Sequence, residues 1–192
     1  MTDADARLVE RAKAGERTAM EELLHHHRDR VWAICRRITG NDADANDACQ
    51  EALISIVKHL HKFDGISAFS TWTYRIATNA SLDELRRRGR RPTPMPLEHG
   101  SSRRHGVAAA ADDRIVERMA VDDALALLPA EFRAAVALRD LCDLDYAQIA
   151  EVLGIPAGTV RSRIARGRSA LLPLLEEGNQ TRSRGRLSDA HE

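Results

Sequence analysis

Residues 144–171, LDYAQIAEVLGIPAGTVRSRIARGRSAL, constrain the fold more than any other stretch, because two short helical patterns meet there at a glycine and the second is cationic throughout. Asp145 and Gln148 form a capping-box pair, so a helix starts at Tyr146 and turns Ile149, Ala150 and Leu153 to one side. Gly154 stops it, Ile155 plugs the turn, and Pro156 sits where a second helix opens. In that second helix Val160, Ile164, Gly167 and Leu171 recur at helical spacing as a buried stripe. Opposite the stripe lie Ser162, Ala165, Arg166 and Ser169, flanked by Thr159, Arg161 and Arg163, with Arg168 beyond and no acid among them. The pattern is a helix-turn-helix. A small polar face ringed by arginines suits the major groove of duplex DNA. The competing reading is a solvated basic surface helix, which leaves the capped first helix and the glycine turn unexplained.

Composition bounds the rest. A chain of 192 residues, 43% hydrophobic, holds material for one large or two small cores. No run approaches the roughly 18 apolar residues of a membrane span, and MTDADARLVERAKAG lacks a signal peptide's apolar segment, so a cytoplasmic protein without direct membrane insertion is expected. Cys35, Cys49 and Cys142 are odd in number, far apart and each within a helical pattern, which reads as small buried hydrophobes rather than a disulfide or zinc site. The formal net charge is zero, so distribution must speak instead. Residues 42–51, DADANDACQE, hold four acids and no base, whereas 86–91, RRRGRR, hold five arginines and no acid. Such polarity implies two different partners.

Three helices account for the first half. Met20, Leu23, Leu24, Val31, Ile34 and Ile38 keep a 3–4 spacing that ends at Gly40-Asn41. A second helix runs from about Asp42 to Lys62, with Cys49, Leu53, Ile56 and Leu60 on one side and Asp44, Asp47 and Glu51 on another. A third runs from about Thr71 into Arg86–Arg91. Residues 90–111, with three prolines in five positions followed by Gly, Ser and Arg, read as a flexible linker. Helical periodicity resumes near Asp112, breaks at Pro129 and leads into the helix-turn-helix. The expected organisation is therefore all-α, with one small helical domain over 1–89, a linker over 90–111, a second over 112–175, and a polar, disordered tail over 176–192.

On the third helix, Trp72, Ile76, Asn79, Asp83 and Arg86 fall on one ridge at 4-3-4-3 spacing. The ridge passes from aromatic to polar as the segment turns basic, as a helix would if it packs at one end and meets nucleic acid at the other. Phe69, Trp72 and Tyr74 cluster just before the cations, the ingredients for holding unstacked bases. Ordinary core packing is the equal alternative for Trp72.

Three ordered segments, RRITGNDADANDACQEALISIVKHLHKFDG, AFSTWTYRIATNASLDELRRRGRR and LPAEFRAAVALRDLCDLDYAQIAEVLGIPAGTVRSRIARGRSAL, resemble bacterial RNA polymerase sigma factors of the extracytoplasmic-function (ECF) type over most of residues 5–175. The resemblance implies that the acidic helix docks on the clamp helices of the polymerase's largest subunit through Asp44, Asp47, Gln50, Glu51 and Ile54, with the flap of the second-largest subunit as a further contact. It implies that the loop and helix from Ser67 to Arg88 take the minus-ten promoter element, where Phe69, Trp72, Arg75, Asn79, Asp83, Arg86, Arg87 and Arg88 capture flipped bases and phosphates. It assigns the minus-thirty-five duplex to Thr159, Arg161, Ser162, Arg163, Ala165 and Arg166, with Arg163 and Arg168 on phosphates or in packing. An anti-sigma factor is an implied partner, and one anchored in a membrane would hold the chain close to it rather than at the nucleoid. No catalytic residue, cofactor or metal is expected. Three consecutive histidines, His25–His27, point about 100° apart and do not converge on one ion. A polymerase-independent helix-turn-helix regulator remains the runner-up, and it leaves the acidic helix and the basic-aromatic ridge without a role.

Overall fold

The computed structural model describes residues 3–90 and 113–188, and among them every regular element is helical. In chain order these are α1 (Asp3–Lys13), α2 (Arg17–Thr39), α3 (Asp42–His59), α4 (Phe69–Arg90), α5 (Asp113–Ala126), α6 (Ala130–Cys142), α7 (Tyr146–Leu153) and α8 (Ala157–Ser188), with one 3-10 turn at Leu60–Lys62. The all-α expectation holds. The expected linker lies outside the described residues except for Arg90, which ends α4.

Local chemistry sets the boundaries. α1 buries Leu8, Val9 and Ala12 against α2 and gives way to a turn at Ala14-Gly15, where Gly15 takes a φ of +93° that is open to glycine without strain. Glu16 then opens α2, its carboxylate taken by Arg11 and by the Thr18 hydroxyl at 2.8 Å. α2 closes on Gly40 in the left-handed region, whose N–H donates to the Arg36 carbonyl at 2.9 Å. Asn41 caps α3 by accepting from the Asp44 N–H at 2.9 Å, and Asp42 and Asp44 sit in that first turn, where the helix dipole favours carboxylates.

α2, α3 and α4 pack as a three-helix core around Leu23, Val31, Ile34, Ile38, Ala52, Ile56, Leu60 and Phe69. Small residues let the helices approach: Ala45, Ala48 and Ala52 on α3, Ala77 and Ser81 on α4. The inward face of α4 is Thr73, Tyr74, Ala77, Thr78, Ser81 and Glu84, polar by composition yet buried. Two of its hydroxyls bond back to the helix, Ser81 donating to the Ala77 carbonyl at 2.7 Å and Thr73 to the Ser70 carbonyl at 2.8 Å, while the buried Thr78 hydroxyl has no partner among the described residues.

In the second half, α7 begins with the full capping box expected, the Gln148 N–H donating to Asp145 at 2.8 Å and the Asp145 N–H to the Gln148 side chain at 2.9 Å. Gly154 ends it at φ +63°. The buried positions of α7 are Ile149 and Val152, so Val152 takes the place expected of Leu153, which with Ala150 is only partly covered. In α8 all four stripe residues, Val160, Ile164, Gly167 and Leu171, are buried as expected. Gly167 is there because α6 crosses so closely that an added Cβ would lie 2.7 Å from Val136 Cγ2.

α8 is helical through Ser188, and residues 189–192 of the expected tail lie outside the described residues. The two helical units also touch. α5 and α6 lie against α2, α7 lies against α4, and Ala134, Leu138, Ile149 and Val152 join the same apolar cluster as Ile34 and Phe69.

Candidate nucleic-acid interface

The cationic face of α8 is presented as its sequence requires. Arg161, Ser162, Ala165 and Arg166 are exposed, Thr159 and Arg163 are partly covered, and the stripe on the other side faces α6 and α7. Arg168, at the rim, pairs with Asp140 of α6. Tyr146, at the start of α7, carries two guanidinium groups over its ring, Arg139 at 5.6 Å and Arg161 at 5.7 Å from the centroid. A cation on an aromatic face keeps its charge while losing conformational freedom, so the ring fixes both arginines along one edge of the helix-turn-helix. Sequence reasoning missed Arg139 and Tyr146. They lie across a turn from Arg161, and no helical spacing relates the three.

The second basic surface, the end of α4, is built differently. Arg86 donates to Asp83 at 2.7 Å, Arg87 to Glu84, and Arg88 to Asp44 of α3 at 2.6 Å. Each of these arginines is thus balanced by a carboxylate, and a phosphate would have to compete with it. Asn79 and Asp83 are exposed on the same ridge, and Arg75 reaches toward Glu151 of α7 at 3.9 Å. Phe69 and Trp72 are elsewhere: with 1% and 7% of their surface exposed, they stand with Phe63 and His27 in an aromatic cluster whose centroids are 5.0–5.6 Å apart. A stacking platform needs an open ring face. Neither ring presents such a face here; both pack beneath the preceding loop, where Ile66 is exposed.

On α3, Asp47, Gln50, Glu51 and Ile54 share an exposed ridge, as the sequence indicates. Beside it, Ile54 and Val57 keep 46% and 44% of their surface, lining with Leu24, Leu53 and Lys58 a shallow apolar groove of about 340 Å³. Carboxylates along an apolar groove supply steering and burial together. Asp44 is set apart from that ridge: its side chain is 14% exposed and is held by Arg88 and by the Asn41 amide at 2.7 Å, which ties the start of α3 to the end of α4. Trp32, half-exposed, donates to Asn46 at 2.9 Å and flanks a polar hollow with Arg28 and Asp29.

The histidines do not gather. His25 and His26 are exposed, while His27 turns inward, 3.2 Å from Asp5. Among the described residues no cluster of three or more metal-ligating side chains forms, and no helix is long and apolar enough to cross a membrane. Cys35 and Cys49 are buried and Cys142 partly so; burial pushes the Cys35 and Cys142 thiols up to about 12, the condition of inert packing groups.

Two helical units, one ending in a basic helix and one carrying a helix-turn-helix, define a sigma-type promoter-binding protein, and family models agree: Sigma-70 region 2 matches residues 23–91 and Sigma-70, region 4 matches residues 118–171. The chain belongs to the ECF RNA polymerase sigma factors. It is 38% identical over 169 residues to the ECF RNA polymerase sigma factor SigE of Mycolicibacterium smegmatis, covering 82% of this chain and 63% of that protein. Against the RNA polymerase sigma-H factor of Pseudomonas aeruginosa it is 36% identical over 188 residues, covering 91% and 97%. With the ECF RNA polymerase sigma-E factor of Escherichia coli the identity is 34% over 176 residues, covering 87% and 92%. The fold resembles that of CnrH, solved with the cytosolic domain of CnrY, at a TM-score of 0.66, 23% identity and coverage of 91% and 99%. It resembles equally the sigma factor RpoE of Bartonella quintana, solved with the anti-sigma factor NepR, at 0.66, 24% identity and coverage of 81% and 96%.

Proposed function

We propose that this chain binds core RNA polymerase through α3, places α4 and its preceding loop on the minus-ten element and α8 on the minus-thirty-five element, and so directs promoter recognition, opening and transcription initiation. The observation that carries the reading is the pairing of two unlike surfaces on one chain: an acidic ridge beside an apolar groove on α3, and an exposed arginine face on α8. A dimeric regulator needs only the second.

Asp47, Gln50, Glu51 and Ile54 meet the clamp helices of the largest subunit, with Val57 extending their apolar margin; Asp44 acts through Arg88 by fixing α3 against α4. The exposed Leu127 and Leu172 on the second unit offer apolar contact to the flap of the second-largest subunit. Arg75, Asn79, Asp83 and Arg86–Arg88 line the minus-ten surface, and Phe69 and Trp72 hold the loop that carries Ile66. Unstacking a base costs a few kcal/mol, which phosphate contacts and a pocket offset, so opening needs no nucleotide hydrolysis by this chain. Arg161, Ser162, Ala165 and Arg166 read base edges, and Thr159, Arg163 and Arg139 take phosphates. An anti-sigma partner and a cytoplasmic location follow the same reading.

The test is run-off transcription from candidate promoters with purified core enzyme. Transcripts are expected only when the chain is added. Asp47→Lys with Glu51→Lys is expected to weaken holoenzyme assembly at least about tenfold, since like charges set against a complementary surface cost several kcal/mol, while circular dichroism stays unchanged. Transcription by the double variant at the level of the parent chain would remove α3 from the polymerase interface.

A further inference from the structure

We propose that α1 braces the loop assigned to the minus-ten element by gripping both of its feet, Lys13 through Phe63 and Asp5 through His27 on Phe69, so that Asp5, Lys13 and His27 are positioning residues for promoter opening; the opening half of this inference rests on the function proposed above. α1 lies ahead of the stretch matched by the Sigma-70 region 2 model, which begins at residue 23.

The loop is short and its feet touch. Residues 64–68, DGISA, run between two buried rings, Phe63 and Phe69, that meet edge to face with centroids 5.4 Å apart. Phe63 closes the 3-10 turn, its N–H donating to the Leu60 carbonyl at 3.0 Å. Phe69 opens α4, where the Trp72 N–H donates to the Ala68 carbonyl at 3.1 Å. Trp72 completes the cluster, 5.4 Å from Phe63 and 5.6 Å from Phe69. Between the feet the chain turns on Gly65 at φ +77°, and the Ile66 N–H donates to the Asp64 carboxylate at 3.1 Å. That turn leaves Ile66 at the tip with 89% of its surface exposed. Where the two rings stand therefore decides where the tip stands.

α1 reaches both rings from outside. Phe69 receives the His27 ring edge-on at 5.0 Å, and His27 Nε2 lies 3.2 Å from Asp5 Oδ1, with 12% and 17% of the two side chains exposed. A carboxylate only accepts, so Nε2 carries the proton and donates, which fixes the plane of the ring that Phe69 meets. Phe63 carries the Lys13 ammonium over its face, 5.7 Å from the centroid. Asp5 and Lys13 stand about 12 Å apart along α1, at 1.5 Å per residue, with the buried Leu8, Val9 and Ala12 between them. The helix lies against α2 and the 3-10 turn, and Arg11 Nε donates to Glu16 at 2.8 Å, tying its far end to the start of α2. An apolar stripe alone would suffice to cover a core. The polar groups at either end do something more, since each is aimed at one foot of the same loop. A loop ordered before DNA arrives loses less conformational freedom when it takes up an unstacked base. The brace should thus act on opening, whereas docking through α8 does not use the loop.

Full-length chains provide the test: the parent, Lys13→Gln, Asp5→Ala/Lys13→Gln, and Lys13→Arg, which keeps a cation on the ring. The readouts are hydrogen–deuterium exchange of peptides covering residues 63–69, the rate at which holoenzyme opens a promoter carrying 2-aminopurine in the minus-ten element, and holoenzyme affinity for a minus-thirty-five duplex. In the double variant the loop amides are expected to exchange about tenfold faster. Opening should slow about fivefold, with minus-thirty-five affinity unchanged. Lys13→Arg should match the parent in all three. Loop amides that keep the parent's rate in the double variant overturn the brace. Faster exchange with the parent's opening rate overturns the positioning role. Should exchange in the double variant also quicken across residues 74–81 of α4, that chain has lost its fold, and Lys13→Gln alone decides on the same readouts, with shifts of about threefold expected and none overturning the brace. If parent holoenzyme opens no promoter, the sigma-factor reading fails and the opening half with it, while the difference in loop exchange persists.

Discussion

Gly158 and Gly167 share helix α8 and answer substitution with opposite signs. A Cβ at Gly158 meets nothing within 4 Å, whereas at Gly167 it lies 2.7 Å from Val136 Cγ2 and 3.5 Å from Phe132 Cβ. Alanine gains up to about 1 kcal/mol of helix propensity at either place. At Gly167 that gain is outweighed by overpacking of roughly 1–3 kcal/mol. Urea unfolding should therefore place the Gly158→Ala midpoint above that of the parent chain and the Gly167→Ala midpoint below it. Glu16 supplies a second residue-level prediction. The Arg11 hydrogen bond, then that of Thr18, lowers its carboxyl to about 2 from an ordinary 4.5. Because the folded value is the lower one, the stabilisation is present above pH 4.5 and is lost as pH falls toward 2, and salt weakens it because the pair is exposed. Carboxyl carbon NMR should show that low midpoint, returning toward 4.5 in Arg11→Gln. Gly167 was legible in the sequence as part of a buried stripe; that its lack of a side chain serves the crossing with α6 was not, since periodicity places a residue on a face without naming the neighbour.

Elements with an apolar stripe and a cap were legible nearly to the residue. α7 starts at Tyr146 because Asp145 and Gln148 announce it, and α2 ends at Gly40 because a left-handed cap needs that residue. α4 was the hard case. Its buried face of threonine, serine, alanine and glutamate carries no apolar period, so attention falls on the ridge from Trp72 to Arg86, which is indeed outward at Asn79, Asp83 and Arg86 but inward at Trp72. An aromatic beside cations looks the same in sequence whether its ring is open or packed. α8 yields a test at this scale. Arg166→Ala is expected to cost holoenzyme about 1–3 kcal/mol of discrimination at the minus-thirty-five element while leaving minus-ten preference intact. Tyr146→Ala frees Arg139 and Arg161 together and should lower affinity for matched and mismatched elements alike, with Tyr146→Phe close to the parent because the ring face is retained. Competition binding with promoter fragments separates the two patterns.

At the scale of the molecule, the two units could be read from the proline-rich break between them, and their roles from the opposed charges of α3 and α8. Their contact could not. The run AAVAL in α6 shows that every side is buried, yet a sequence cannot say whether α8 alone or α2 as well does the covering. On the proposed reading, the chain depends on polymerase for its place on the promoter. Nuclease footprinting on one promoter, with free chain, core enzyme and holoenzyme compared, tests this most directly. The account predicts protection of both elements by holoenzyme alone, with free chain protecting neither at equal concentration. Full protection of a site by the free chain, unaltered when core enzyme is added, would contradict it.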